Sequence, residues 1–176
     1  MISKLREWWE PISRRIFQRA ASLNPNYITL LTPLFGGFAG YCLYLQNYKL
    51  ASLMILLSGV TDLIDGAIAR AGKKETRFGA ILDSTCDRLS EGLIYAGASP
   101  HFPIPASLAL LFSYLVSYIR AKDDRIRAGI AERGERILLL TLFVFFGKLR
   151  EGLWLITLLA GVTVIQRLLE ARKLTS

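Results

Sequence analysis

The chain has 176 residues, of which 52% are hydrophobic and 20% charged, with a mean hydropathy of +0.37 and a formal net charge of +8. This composition is too apolar for an ordinary soluble domain, yet it keeps many charges, so it predicts a small protein with several membrane-spanning segments. Two cysteines and one histidine are too few for a disulfide framework or a zinc site. The basic residues lie between the apolar segments, which favours a membrane surface or an anionic substrate over nucleic acid as the partner.

The N-terminal segment, residues 1–21, carries Trp8, Trp9 and five basic residues, with apolar residues at roughly helical spacing. No compact apolar run with a cleavage site follows it. The segment therefore predicts an amphipathic helix that lies in the membrane interface, not a signal peptide.

Six apolar segments follow, separated by turn-forming residues. They cover about residues 27–46, 49–71, 77–99, 104–122, 135–147 and 152–169. The fifth is short and needs part of the preceding stretch 131–136 to approach the roughly 20 residues that cross a bilayer as a helix. The sequence thus predicts one all-α membrane domain over residues 1–176, with six transmembrane helices within 27–169.

The distribution of positive charge predicts the orientation of these segments. Most of the 22 basic residues lie in the N-terminal segment, the second-to-third connection, the fourth-to-fifth connection and the C-terminus. Six spans place all four regions on one side, whereas Lys49, Lys148 and Arg150 lie opposite. We therefore expect a cell-membrane protein whose two termini and active site face the cytoplasm.

Four aspartates stand within the second and third apolar segments. Asp62 and Asp65 are three residues apart, and Asp83 and Asp87 are four apart, so each pair lies on one face of its helix. An ionised carboxylate inside a membrane costs several kilocalories per mole unless it is paired, solvated or bound to a metal. The four acids therefore indicate a functional site.

The connection over residues 71–76 is short, so the two helices are expected to run antiparallel as neighbours with the acids facing each other. Four oxygen ligands suit Mg²⁺ or Mn²⁺ better than zinc. Two such ions about 3.5 to 4 Å apart would neutralise a pyrophosphate and its leaving group. This arrangement predicts displacement at phosphorus.

Gly66, Gly79 and Arg70 accompany the acids. The glycines would let backbone approach a nucleotide closely, and the arginine could reach a phosphate oxygen. Taken singly, a glycine in an apolar helix is usually a packing residue, and an arginine at the end of a span is usually an anchor. Together with the acids they form a far more specific pattern.

Residues 62–87 read D-x2-D-G-x2-A-R-x8-G-x3-D-x3-D, and this pattern resembles the signature of the CDP-alcohol phosphatidyltransferases. The positions that match are Asp62, Asp65, Gly66, Ala69, Arg70, Gly79, Asp83 and Asp87. The Asn-Pro-Asn-x2-Thr run at residues 24–29 and the six-span layout are also similar to that family.

The resemblance implies a metal-dependent enzyme that transfers a lipid phosphate from a CDP-lipid, CDP-diacylglycerol or CDP-archaeol, to an alcohol and releases CMP. It implies two ions held by Asp62, Asp65, Asp83 and Asp87, with Asp87 as the catalytic base. It also implies contacts to the CDP group from Asp65, Gly66, Ala69, Arg70, Gly79 and Asp83. Members of the family are commonly homodimers.

The acceptor is indicated by a basic region between the fourth and fifth segments. The pattern S-Y-x-R-A, then G-I-A-E-R-x-E-R, then Q-R resembles the branch that makes phosphatidylinositol phosphate or archaetidylinositol phosphate. In that branch the phosphate of inositol 1-phosphate is held by basic residues, which correspond here to Arg120, Arg133 or Arg136, and Arg167, with Ser117 nearby. Position 120 is an arginine where a lysine is often found.

Other functions remain open at this point. The arginines could simply obey the positive-inside rule and meet anionic lipid headgroups. Glycerol 3-phosphate is an equally anionic acceptor, whereas a neutral acceptor such as serine fits the arginines less well. A divalent-cation transporter could also carry four membrane aspartates, although its acids are expected along a path through several spans.

Overall fold

The structure, a computed structural model, describes residues 24–126 and 128–175. Its helices are α1 (Pro25–Thr29), α2 (Leu31–Tyr44), α3 (Tyr48–Ala71), α4 (Arg77–Ala98), α5 (Pro103–Lys122), α6 (Arg133–Phe145) and α7 (Leu149–Thr175). No strand occurs in this part of the chain, and the predicted all-α class is confirmed. The predicted interfacial helix of residues 1–21 lies outside the described residues.

The first predicted span, residues 27–46, is divided in the structure into α1 and α2. Asn24 caps α1, accepting a hydrogen bond from the Asn26 N–H at 3.1 Å. Pro33 has no N–H to donate to the carbonyl of Thr29, and its ring crowds that carbonyl. The helix therefore breaks at Leu30, and α1 becomes a separate short element beside the aspartate-bearing helices.

The signature aspartates stand on α3 and α4, on either side of a tight connection. Lys73 takes a left-handed φ of 51° just after α3 ends. The Thr76 side chain then accepts a hydrogen bond from the Gly79 N–H at 2.9 Å and so caps α4. This turn brings the chain straight back, as predicted, so Asp62 and Asp83 end near the same level.

The helices pack as a bundle in which α2 contacts both α3 and α4, α6 contacts α3, and α5 contacts α7. The two aspartate helices touch each other less than either touches α2. Helices α2 and α4 approach each other closely, since a methyl group on Gly97 would collide with the carbonyl of Gly40. Hence α3 and α4 diverge enough to leave room between them for the acids.

A buried polar layer lies next to these acids. Ser58 donates to the Thr32 carbonyl at 3.1 Å and pairs with the Ser90 hydroxyl at 2.7 Å, and the hydroxyls of Thr32 and Thr61 are 3.1 Å apart. Each hydroxyl thus has a partner away from water, as burial requires. The layer ties α2, α3 and α4 together one turn below the site.

Three of the helices are long and apolar enough to cross a membrane: α3, α5 and residues Leu149–Leu174 of α7. In contrast, α2 and α6 have 14 and 13 residues, so each rises only about 20 Å against a hydrocarbon core of about 30 Å. α4 is long enough, with 22 residues, but it carries charged residues of the site and is not among the helices apolar enough to cross. The chain is a membrane protein, and the number of six spans stays a prediction.

Candidate functional site

Three of the four signature aspartates meet at one point between α3 and α4. One carboxylate oxygen each from Asp62, Asp83 and Asp87 lies within 4.8 Å of the others. Asp87 is buried and the other two are half-buried. Three carboxylates so close repel one another unless a cation stands among them, and a donor set made only of oxygen suits a hard divalent ion.

Asp65 stands beside this group rather than within it. Its side chain is 4% exposed, and its Oδ2 has no hydrogen-bond donor among the described residues. The charges of Asp62 and Asp83 are close enough to act on it. A buried carboxylate oxygen without a donor is costly, so this atom also fits a site completed by a cation.

Arg133, from the start of α6, provides a positive charge inside the carboxylate group. Its Nη1 lies 3.0 Å from Asp62 Oδ2 and 2.9 Å from Asp87 Oδ1, and its side chain is 14% exposed. Arg88 approaches the other oxygen of Asp87 at 3.6 Å. The Nε and Nη2 of Arg133 are buried and have no hydrogen-bond partner in the described part of the chain. The arginine therefore bridges two acids and retains donors for an anion.

A cavity of about 190 Å³ adjoins the carboxylates. It is lined by all six residues that the sequence analysis assigned to CDP: Asp65, Gly66, Ala69, Arg70, Gly79 and Asp83. The structure thus gathers residues from α3 and α4 around one opening. Their contact with a nucleotide stays a prediction.

The cavity also has walls that the sequence analysis did not assign. They come from α1, through Pro25, Asn26 and Thr29, and from the start of α4, through Thr76 and Ala80. The Asn-Pro-Asn-x2-Thr run could have indicated the short helix α1, because Asn24 caps it. The run does not indicate which other helices α1 packs against. The N-terminus of α4 lies at this wall, and the N-terminus of a helix favours an anion such as a phosphate.

Gly79 keeps the cavity open at the point where α1 meets α4. A Cβ there would lie 3.0 Å from Thr76 Oγ1 and 3.4 Å from Asn26 Oδ1. A Cβ on Gly66 would lie 3.1 Å from Arg70 Nη1. Side chains at these positions would crowd the wall, which agrees with the close backbone approach inferred from the sequence.

The residues predicted to bind the acceptor differ in exposure and in their partners. Arg120 is exposed and lies 3.7 Å from Glu132, and Ser117 donates to the Ser113 carbonyl at 3.1 Å. Within this predicted set, Arg133 forms ion pairs with Asp62 and Asp87.

Arg136 and Arg167 are almost wholly buried, each 1% exposed. Arg136 pairs with Glu91 of α4 at 3.0 Å. Arg167 donates from Nε to the Ala128 carbonyl at 2.9 Å and from Nη1 to the Val116 carbonyl. The structure therefore gives these two arginines partners within the protein, and their role toward an acceptor stays a prediction.

The α5–α6 connection is attached to α7 through its backbone. Besides the bond from Arg167, the Ala128 N–H donates to Glu170 Oε2 at 2.7 Å, and the Ala131 N–H donates to Thr163 Oγ1 at 3.1 Å. Glu170 and Thr163 were not singled out from the sequence, since an isolated acid and a threonine on an apolar helix give no signal. Together these bonds fix the chain just before Arg133.

Comparison with known proteins identifies the family of this chain. Residues 22–165 match the family described as CDP-alcohol phosphatidyltransferase. The archaetidylinositol phosphate synthase of Pyrococcus horikoshii is 38% identical over 183 residues, covering 98% of this chain and 97% of that protein.

Solved structures with a similar fold belong to a related enzyme. The phosphatidylinositol phosphate synthase of Mycobacterium tuberculosis with CDP-DAG bound has a TM-score of 0.75 at 27% identity, covering 90% of each chain. The same enzyme in complex with manganese and citrate has a TM-score of 0.75 at 27% identity, covering 90% of this chain and 86% of that chain. On the match to the family model and the 38% identity over nearly the whole chain, this protein belongs to the CDP-alcohol phosphatidyltransferase family.

Proposed function

We propose that the chain transfers a phosphatidyl or archaetidyl group from a CDP-lipid to a hydroxyl of inositol 1-phosphate and releases CMP. The observation that carries the proposal is the placement of Arg133 at Asp62 and Asp87, next to the cavity lined by the signature residues. A lipid donor, an anionic acceptor and a base would thus meet at one point. The names of the relatives, archaetidylinositol phosphate synthase and phosphatidylinositol phosphate synthase, support the same acceptor.

The donor is assigned to the cavity. Gly66, Ala69 and Gly79 present little side chain, so the flat base and the pyrophosphate can approach the backbone, while Arg70 contributes charge for a phosphate oxygen. The related mycobacterial enzyme has been solved with CDP-DAG.

Divalent cations are assigned to Asp62, Asp65, Asp83 and Asp87, with Mg²⁺ or Mn²⁺ and two ions as the proposed content. The cluster of oxygens within 4.8 Å and the orphaned Asp65 oxygen fit this content. A manganese complex of the mycobacterial relative supports a divalent metal. When bound, such ions would neutralise the pyrophosphate and stabilise the leaving CMP.

Asp87 is the proposed base. It removes the proton from the acceptor hydroxyl, the oxygen forms a bond to the phosphorus that bears the lipid, and the bond from that phosphorus to the CMP oxygen breaks. Arg133 contacts Asp87 Oδ1 at 2.9 Å and so holds the carboxylate in one orientation. Positioning and charge then carry most of the catalysis, and no covalent enzyme intermediate is needed.

The acceptor phosphate is assigned to the basic residues near the α5–α6 connection. Arg133 has unpartnered Nε and Nη2 donors beside the carboxylates, and Arg120, Arg167 and Ser117 extend the basic region toward α5 and α7. Guanidinium groups bind phosphate through two parallel hydrogen bonds, which suits a phosphorylated acceptor. We further propose that the protein is a homodimer in the cell membrane with its site facing the cytoplasm.

The test is CMP release by the purified protein in detergent with Mg²⁺ and a CDP-lipid, comparing inositol 1-phosphate, glycerol 3-phosphate and serine. Release that depends on inositol 1-phosphate is expected. Release only with glycerol 3-phosphate would keep the chemistry and overturn the acceptor assignment.

Asp87→Asn serves as the matched variant in that assay. The amide keeps the size of the side chain but cannot take the proton, so turnover is expected to fall by about a hundredfold or more while binding of the CDP-lipid is largely retained. Unchanged turnover would remove Asp87 from the role of base.

A further inference from the structure

Two ion pairs cross between α4 and α6, one helical turn apart. The upper pair is Asp87 with Arg133 at 2.9 Å, and the lower pair is Glu91 with Arg136 at 3.0 Å. Asp87 and Glu91 are four residues apart and the arginines are three apart, so each set lies on one face of its helix. The pairs therefore form two rungs between the same helices.

The lower pair is buried, and each guanidinium nitrogen of Arg136 has a hydrogen-bond partner. Arg136 donates from Nε to Glu91 Oε1 at 3.1 Å and from Nη2 to Oε2 at 3.2 Å, and its Nη1 donates to the Ala131 carbonyl at 2.9 Å. The two side chains are 1% and 2% exposed. Every nitrogen of this guanidinium already has a partner within the protein, so it has little capacity left for the phosphate of an acceptor.

We propose that Glu91 and Arg136 are positioning residues for the acceptor site and do not contact the substrate. Two charges removed from water satisfy each other only in one relative placement of α4 and α6, so the pair fixes the register of these helices. That register sets Arg133 against Asp87 one turn away. The bond to the Ala131 carbonyl also fixes the chain immediately before α6.

This inference rests on the proposed function, because it concerns how Arg133 is presented to a phosphorylated acceptor. It differs from the expectation that Arg136 itself binds the acceptor phosphate. If Arg136 acts only through Glu91, replacing both residues should restore the acceptor affinity that is lost when Arg136 alone is replaced. An apolar pair leaves no buried unpaired charge, whereas the single replacement leaves Glu91 unpaired. If Arg136 binds phosphate, nothing done to Glu91 can replace the lost guanidinium.

The experiment compares Arg136→Met with the double variant Glu91→Met/Arg136→Met. The KM for inositol 1-phosphate, the KM for the CDP-lipid and kcat are measured in detergent. Arg136→Met is expected to raise the acceptor KM by about tenfold or more, and the double variant should return it to within about threefold of the unaltered chain. The KM for the CDP-lipid should stay unchanged in both, which a general loss of folded protein would not explain.

Glu91→Gln keeps the proposal testable if Arg136→Met does not fold. It leaves Arg136 in place, so direct phosphate binding predicts an acceptor KM that is unchanged or lower, whereas positioning predicts a higher one. Arg150→Met, at an exposed arginine at the start of α7, is the matched control and should leave all three constants unchanged.

An acceptor KM in the double variant as high as in Arg136→Met would overturn the inference. Failure of the proposed function would look different, since the unaltered chain itself would then release no CMP with inositol 1-phosphate. In that case the same comparison is made with whichever phosphorylated acceptor the unaltered chain uses. The rescue pattern then decides the inference in the same way.

Discussion

At the scale of single residues, Arg133 has partners in the structure that its place in the sequence does not indicate. The resemblance put it with an acceptor phosphate, and the structure places its Nη1 about equally far from Asp62 and Asp87, at 3.0 and 2.9 Å. These are oxygens that a divalent cation would also need. A guanidinium charge at this distance repels such a cation, so the arginine and the metal are expected to compete for the two carboxylates.

Arg133→Gln should therefore bind Mn²⁺ more tightly than the unaltered chain. We expect the apparent affinity to rise by about tenfold, since the variant removes the repulsion while leaving the acids in place. Titration calorimetry with Mn²⁺, without lipid or acceptor, measures this directly.

Arg120→Gln is the matched control for that titration, because Arg120 is exposed and pairs with Glu132 instead of an aspartate of the site. Its Mn²⁺ affinity should match that of the unaltered chain. Equal affinity in Arg133→Gln as well would show that the arginine does not compete with the cation.

At the scale of elements, the position of α4 depends on its close contact with α2. A Cβ on Gly97 would collide with the backbone of Gly40, and backbone cannot move aside as a flexible side chain can. Because α4 carries Asp83 and Asp87, any shift of this helix also moves the site. Gly97→Ala is expected to lower the free energy of unfolding by about 1 to 3 kcal/mol and to reduce activity in parallel.

Gly37→Ala is the control for this prediction, since the added Cβ would lie at an ordinary contact distance, 3.5 Å, from the Leu93 side chain. Alanine favours a helix over glycine by about 1 kcal/mol, so this variant should be neutral or more stable. Thermal unfolding in detergent compares the two variants. Equal stability of both would show that the α2–α4 contact does not limit the packing.

The predictable part of the molecule is local in sequence. The antiparallel return of α4 follows from a short connection, and the meeting of Asp62 with Asp83 follows from that return. The break at Leu30 was missed because Pro33 lies in a continuous apolar run. The ion pairs of Arg133 with Asp62 and of Arg136 with Glu91 depend on how α6 packs against α3 and where it lies relative to α4. The spacing of residues along the chain does not predict this packing.

At the scale of the whole molecule, charge and packing point to the same arrangement in the membrane. The signature acids, the cavity and Arg133 lie near the end of α3 and the starts of α4 and α6, and the 72–76 connection lies beside them. The opposite ends of the helices carry an apolar core that includes Leu43, Ile55 and Leu153. With this end facing the cytoplasm, as proposed above, a soluble acceptor and a membrane-bound lipid donor would meet there.

Whether α6 crosses the membrane decides the topology, because its 13 residues are short for a span. The experiment first replaces the two buried cysteines, Cys42 and Cys86, by alanine. Ile130→Cys and Lys148→Cys then place one exposed thiol before and one after α6. If α6 crosses, a membrane-impermeant maleimide should label the Lys148→Cys thiol in intact cells and the Ile130→Cys thiol only after permeabilisation. Labelling of both thiols from the same side would place α6 within one leaflet, and the six-span topology with two cytoplasmic termini would be wrong.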